Sequence, residues 1–139
     1  MFLVDTNVLS AMVAPALPPP IAAWMGGTPL RFLFTSTICQ AEMLAGIASL
    51  PEGRRRRDLA VAARAMFAGS FGGKIWPFDT EAAEAYAEIS AGRRRAGRHA
   101  EPTDLMIAAI ALSRDASVVT RNVRDFDGCG VAVINPWDE

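Results

Sequence analysis

Phe2-Leu3-Val4 is an unbroken apolar run that stops at an acid, Asp5. A strand with no polar alternation is buried on both faces, the condition of a strand inside a parallel sheet. Parallel neighbours need long crossovers, usually helical, so this opening demands that strands and helices alternate. The rest of the chain complies. Thr6 to Val13 reads as a short helix, interrupted by Pro15, Pro18, Pro19 and Pro20. Arg31 to Thr35 reads as a second strand. Thr37 followed by Gln40 has capping-box spacing and opens an amphipathic helix that ends before Pro51. Arg54 to Met66 is a third helix, and Lys74 to Phe78 a short strand. Asp79 or Thr80 caps a helix running through Arg95, and Pro102 suits the first turn of the next one. Ser117 to Thr120 and Val131 to Ile134 are two further apolar strands. The expected class is α/β: three layers, α/β/α, around a mostly parallel sheet of four to five strands. Right-handed crossovers then bring the carboxyl ends of the strands to one edge.

With 139 residues the chain has the length of one domain, and a hydrophobic fraction of 51% excludes disorder. No apolar run approaches the roughly 18 residues of a membrane span. The first residues lack the basic and apolar regions of a secretory signal, so the expected compartment is the cytoplasm. Cys39 and Cys129 have no Cys-x-x-Cys spacing and read as reduced, buried thiols. The lone histidine, His99, stands among arginines in a loop and reads as surface. Trp24, Trp76 and Trp137 are scattered and suit core or interface packing more than base stacking. The net charge of −1 does not announce a nucleic-acid binder. The charge is uneven, however: Arg54 to Arg57 form one basic block, and Arg93, Arg94, Arg95 and Arg98 another. Such runs are ordinarily solvated helix ends; around an acidic centre they would instead contact phosphates.

That acidic centre is the second constraint. Asp5 ends the first strand, Asn122 and Asp125 follow the strand ending at Thr120, Glu42 lies early in its helix, and Asp104 lies in the first turn of another. Open parallel sheets bind ligands outside the carboxyl ends of their strands. Taken singly, each residue has an ordinary explanation: Asp104 as a helix N-terminal acid, Glu42 as an exposed helix residue, Asn122 and Asp125 as turn formers. Together they do not. Two carboxylates about 4 Å apart repel by roughly 4 kcal/mol at an effective dielectric of about 20. A third must protonate or share a cation. With oxygen ligands alone on offer, the expected ion is Mg²⁺ or Mn²⁺.

Five segments carry a resemblance across the whole chain: Phe2-Leu-Val-Asp-Thr-Asn-Val-Leu-Ser10, Ala41-Glu-Met-Leu-Ala-Gly46, Thr103-Asp-Leu-Met-Ile-Ala-Ala109, Val119-Thr-Arg-Asn-Val-Arg-Asp-Phe126 and Val133-Ile-Asn-Pro-Trp137. In this order the chain resembles the PIN-domain ribonucleases, particularly the VapC toxins of bacterial type II toxin–antitoxin pairs. The resemblance implies a single PIN-like nuclease domain over residues 1–139 and a Mg²⁺- or Mn²⁺-dependent endoribonuclease. It also implies a homodimer and a cognate VapB-type antitoxin, with operator DNA bound only through the antitoxin complex. Asp5, Glu42 and Asp104 match the three family acids, and Asp5 and Asp104 are the surest metal ligands. Thr6 and Thr120 match the hydroxyl positions beside them. The fourth corner stays open between Asn122 and Asp125, since relatives carry the acid at either position.

Two other readings compete. A phosphatase of the haloacid-dehalogenase type would use Asp5 as nucleophile, but it wants a second Asp where Asn7 stands. A degenerate domain that only binds a partner would fit the Asn at 122. It leaves Asp5, Glu42 and Asp104 as an unused and destabilising acidic cluster.

Overall fold

The computed structural model describes residues 1–138. Strands β1 (Phe2–Val4), β2 (Leu33–Ser36), β3 (Ile75–Trp76), β4 (Ser117–Val119) and β5 (Val133–Ile134) form one sheet in the order β3-β2-β1-β4-β5. All four pairings are parallel. Helices α1 (Thr6–Met12), α2 (Pro19–Gly26), α3 (Thr37–Ala48), α4 (Arg54–Ala68), α5 (Thr80–Arg95) and α6 (Pro102–Ser113) complete a three-layer α/β/α architecture. Leu3 faces Phe34 on one side and Val118 on the other, so β1 is the central strand. Leu3, Val4, Val118 and Val119 are fully buried, which is why their run tolerates no polar alternation. Chain order changes direction at β1, whose neighbours are β2 and β4. A crevice forms at such a switch point, outside the strand ends.

Helix α6 is the most deeply sunk, with Leu105, Ile107, Ala108, Ala109, Ile110 and Ala111 all buried. Apolar residues on every face are what an internal helix requires. Both cysteines are buried and unpaired, as their spacing indicated. Trp76 stacks on Phe34 with ring centroids 4.3 Å apart, and Trp24 meets Phe2 edge-on at 5.7 Å. Among the described residues no helix is long and apolar enough to cross a membrane.

Local chemistry moves several boundaries. The proline run does more than interrupt α1: Pro19 and Pro20 occupy the first turn of α2, where a missing N–H breaks no helical bond. Pro29 starts a 3₁₀ turn over Leu30–Phe32, so β2 begins at Leu33 rather than Arg31. The cap of α3 is Ser36, whose Oγ accepts from the Cys39 N–H at 3.1 Å; Thr37 is already helical. Pro77 cannot donate to a ladder, so β3 stops at Trp76. Asp79, not Thr80, caps α5, accepting from the Ala82 N–H at 3.0 Å.

Candidate active site

Asp5 follows the last residue of β1 and serves as the N-cap of α1. Its N–H still donates to the Val119 carbonyl at 2.9 Å, so the sheet ladder fixes its backbone before the side chain matters. That side chain is 5% exposed and well supplied with donors. Oδ1 accepts from the Thr6 N–H at 2.8 Å; Oδ2 accepts from the Thr120 hydroxyl at 2.8 Å and from the Asn7 amide at 3.2 Å. Burial pushes the carboxyl above its ordinary range, against the pull of the Thr120, Thr6 and Cys39 hydrogen bonds, and the charge of Asp125 pushes the same way. Cys39, 3.8 Å from Oδ1, is itself pushed up to about 12 by burial and by the Asp5 charge.

Thr120 closes the end of β4. Its hydroxyl donates to Asp5 and accepts from the Asn7 amide at 3.1 Å and the Asn122 N–H at 3.0 Å, which fills one donor and two acceptor positions. Asn7 reaches further, because its Oδ1 accepts from the Arg121 N–H at 3.0 Å. One asparagine thus ties the first turn of α1, the Asp5 carboxylate and the exit of β4 together. Sequence reasoning had no role for it beyond replacing a second Asp. The usable signal was an amide two residues past a strand-end acid, able to donate and accept at once.

Glu42 is exposed on α3, as an ordinary helix glutamate would be, yet it accepts from the Thr6 hydroxyl at 2.8 Å. Asp104 is half-buried in the first turn of α6. A carboxylate placed there only for the helix dipole would titrate low. Asp79 at the start of α5 does so, held down by the Ala82 N–H and the Arg114 guanidinium. Asp104 behaves oppositely: burial, then the charges of Asp125, Asp5, Glu42 and Glu101, push it up to about 6. Acids from α3, α6, the end of β1 and the 3₁₀ turn Val123–Phe126 therefore act on one another across the sheet edge. Glu101, just before α6, is a contributor that the motif reading passed over.

The two candidates for the fourth corner separate in the structure. Asp125 shares a pocket of about 400 Å³ with Asp104, and its charge raises both Asp104 and Asp5. Asn122 is exposed, and its backbone N–H is engaged by Thr120. The basic blocks also divide. Arg54 and Arg57 are exposed at the start of α4, with Arg54 paired to Asp58 at 3.8 Å. Arg93, by contrast, is 7% exposed and not a solvated helix end. Its guanidinium donates to the Asp127 carbonyl and, at 3.0 Å, to that of His99. His99 itself is exposed, 3.5 Å from Glu101.

The acids at the crevice offer oxygen ligands, and their mutual repulsion is what a divalent cation relieves, so these carboxylates suit Mg²⁺ or Mn²⁺. Among the described residues no three His, Cys, Asp or Glu side chains gather closely enough to hold an ion unaided. Mg²⁺ keeps several of its waters and needs only one or two protein carboxylates, a demand that Asp5 and Asp104 can meet without a closer cluster.

The PIN domain family matches residues 2–128. Plasmid stability protein StbB of Pseudomonas syringae pv. tomato is 38% identical over 138 residues, covering 99% of each chain. The VapC ribonuclease Y4jK of Sinorhizobium fredii is 30% identical with the same coverage. Among solved structures, FitAcB from Neisseria gonorrhoeae superposes with a TM-score of 0.92 at 33% identity, covering 100% of both chains. DNA-bound VapBC from Salmonella typhimurium gives 0.79 at 28% identity, covering 97% of both. A family match over most of the chain, with full-length relatives of 30% identity and above, means that this chain belongs to the PIN-domain family, on its branch of VapC-type toxins.

Proposed function

We propose that the 139-residue chain acts as one nuclease domain, a toxin that hydrolyses RNA phosphodiester bonds with Mg²⁺ or Mn²⁺ held in the acidic crevice. The observation that carries this reading is the gathering of acids at one sheet edge in a PIN-family chain: Asp104 and Asp125 line one pocket, and Thr6 links Asp5 to Glu42. Asp5 and Glu42 are held by amide and hydroxyl donors, and no arginine or lysine pairs with Asp5, Glu42, Asp104 or Asp125 among the described residues. Asp5 and Asp104 would hold the ion, directly or through water. When bound, it would neutralise charge on the phosphate and lower the pKa of water at the site. Glu42, anchored by the Thr6 hydroxyl, accepts the proton that the attacking water gives up. Thr120 and Asn7 keep the Asp5 carboxylate facing the crevice. Asp125 supplies the fourth charge, with Asn122 beside it in the outer shell.

Against Asp5 as a phosphatase nucleophile stands Asn7, whose amide donates to Oδ2 where a proton-transferring acid would be needed. By analogy with relatives solved as FitAcB and as DNA-bound VapBC, we assign the chain a cognate VapB-type antitoxin. Operator DNA would be bound through that complex, with a homodimeric toxin and a cytoplasmic setting.

The purified chain, freed of any partner, should cut RNA when Mg²⁺ or Mn²⁺ is supplied and stop when EDTA is added. Cleavage at full rate in EDTA would overturn the metal-dependent reading. Failure to bind either ion by calorimetry would leave only the degenerate, partner-binding domain.

A further inference from the structure

The pocket of about 400 Å³ beside Asp104 is lined by charges of both signs. Glu101, Asp104, Asp125 and Asp127 are its acids; Arg93, Arg98, Arg124 and His99 are its bases. His99 lies 3.5 Å from Glu101, so part of this charge is already paired. Arg124 lies one residue before Asp125 in the same 3₁₀ turn, is exposed, and makes no ion pair among the described residues. Arg98 meets only Asp127, at 3.8 Å with both side chains well exposed, a pair worth little in water. Arg124 is therefore the cation of this pocket with no acid partner among the described residues, and Arg98 is only loosely engaged.

The pocket is also braced by one of its own lining residues. The buried Arg93 guanidinium donates to the backbone carbonyls of His99 and Asp127, so one side chain ties together the two loops that carry them. Fixing two loop backbones with a buried arginine is costly unless their separation matters, because its Nε is left with no partner.

We propose that this pocket is a phosphodiester subsite holding the RNA phosphate next to the one being cut, with Arg124 as its free cation and Arg98 as the second. The proposal rests on the nuclease reading above. A ligand that met both an ion held by Asp5 and Asp104 and the Arg124 guanidinium would have to carry negative charges at successive points along one chain. A nucleic-acid backbone does this, and arginine suits it because a guanidinium can bind a phosphate through two parallel N–H bonds. Binding of this kind positions the strand without reading its bases.

The test is the salt dependence of binding of a short fluorescein-labelled single-stranded RNA in EDTA, for the parent, Arg124→Ala, Arg124→Lys and Arg31→Ala. Arg31 is exposed in the turn before β2, at the opposite edge of the sheet. Arg124→Ala should weaken binding about 3- to 10-fold at low salt and flatten the slope of log affinity against log salt by about 0.7, the value for one phosphate contact on a single strand. Arg124→Lys should restore the slope, and Arg31→Ala should match the parent. In cleavage with Mg²⁺, Arg124→Ala should raise KM while kcat stays within about 2-fold, the pattern of lost uniform binding. An unchanged slope in Arg124→Ala, or an equal loss in Arg31→Ala, overturns the subsite and leaves the nuclease reading standing if the parent still cuts RNA. The converse result, a slope dependent on Arg124 in a parent that cuts nothing, overturns the nuclease reading and keeps the phosphate site. Equal dependence on Arg124 for an acidic peptide would reassign the pocket to a protein partner and overturn the subsite.

Discussion

Asp104→Asn should abolish RNA cleavage, by roughly 10³-fold or more, and at the same time make the metal-free chain more stable. The two effects have one cause. Every named neighbour of Asp104, with Asp125 first and then Asp5, Glu42 and Glu101, repels its charge, and burial adds to the penalty. Its carboxyl titrates near 6 in the folded chain and lower in the unfolded one, so the folded state binds the extra proton between about pH 4 and 6. Stability contributed by this group is therefore lost as the pH rises through that window, and the loss is complete above it. At pH 8 in EDTA the asparagine variant should melt about 2–5 °C above the parent, an advantage that shrinks toward pH 5. Adding Mg²⁺ should close the gap from the other side, by stabilising the parent and not the variant. Differential scanning calorimetry at the two pH values, with and without the ion, reads all of this. A variant that melts below the parent in EDTA at pH 8 would contradict the strain assigned to Asp104.

Asp5→Asn should lose activity to a similar degree with the opposite effect on folding. Asp5 is surrounded by donors: the Thr6 N–H, the Thr120 hydroxyl and the Asn7 amide all point at its two oxygens. An asparagine keeps one acceptor and turns an N–H₂ toward the remaining donors. Thr120 cannot absorb it, because its hydroxyl oxygen already accepts from Asn7 and from the Asn122 N–H. Stranding one such buried group costs about 1–3 kcal/mol, which lowers the melting point by roughly 3–10 °C in a chain of this size. Burial still holds the Asp5 carboxyl above its ordinary range, so relief of desolvation offsets part of this loss. Urea unfolding of the two variants side by side should show opposite shifts in midpoint. Equal shifts would mean that the two acids are not held by different means.

That contrast marks what the sequence can disclose. An apolar strand ending in an acid is legible because burial on both faces and solvation of a carboxylate are contradictory demands, and only a strand end at a crevice meets them. The parallel sheet and the grouping of Asp5, Glu42 and Asp104 follow from the same reasoning. Helix α2 was hidden because proline is a breaker inside a helix and a good starter in its first turn, and composition does not separate the two. The fourth corner was hidden because Asn122 and Asp125 sit three residues apart in one turn. Only the 3₁₀ geometry of Val123–Phe126 carries the second into the pocket with Asp104. Arg93 lies within an arginine run that otherwise reads as solvated; its burial depends on where two distant loops fall. Asn7 shows its role only once β4 is laid beside β1 and Thr120 comes within reach.

With water at the acidic crevice as the nucleophile on RNA, cleavage by the partner-free chain with Mg²⁺ in ¹⁸O-enriched water should leave a terminal phosphate carrying one ¹⁸O from the first turnover. Mass spectrometry of the ends should find no 2′,3′-cyclic phosphate. An unlabelled cyclic phosphate would show that the RNA's own 2′-hydroxyl attacks, and would contradict the assignment of Asp5, Glu42, Asp104 and Asp125 to water activation.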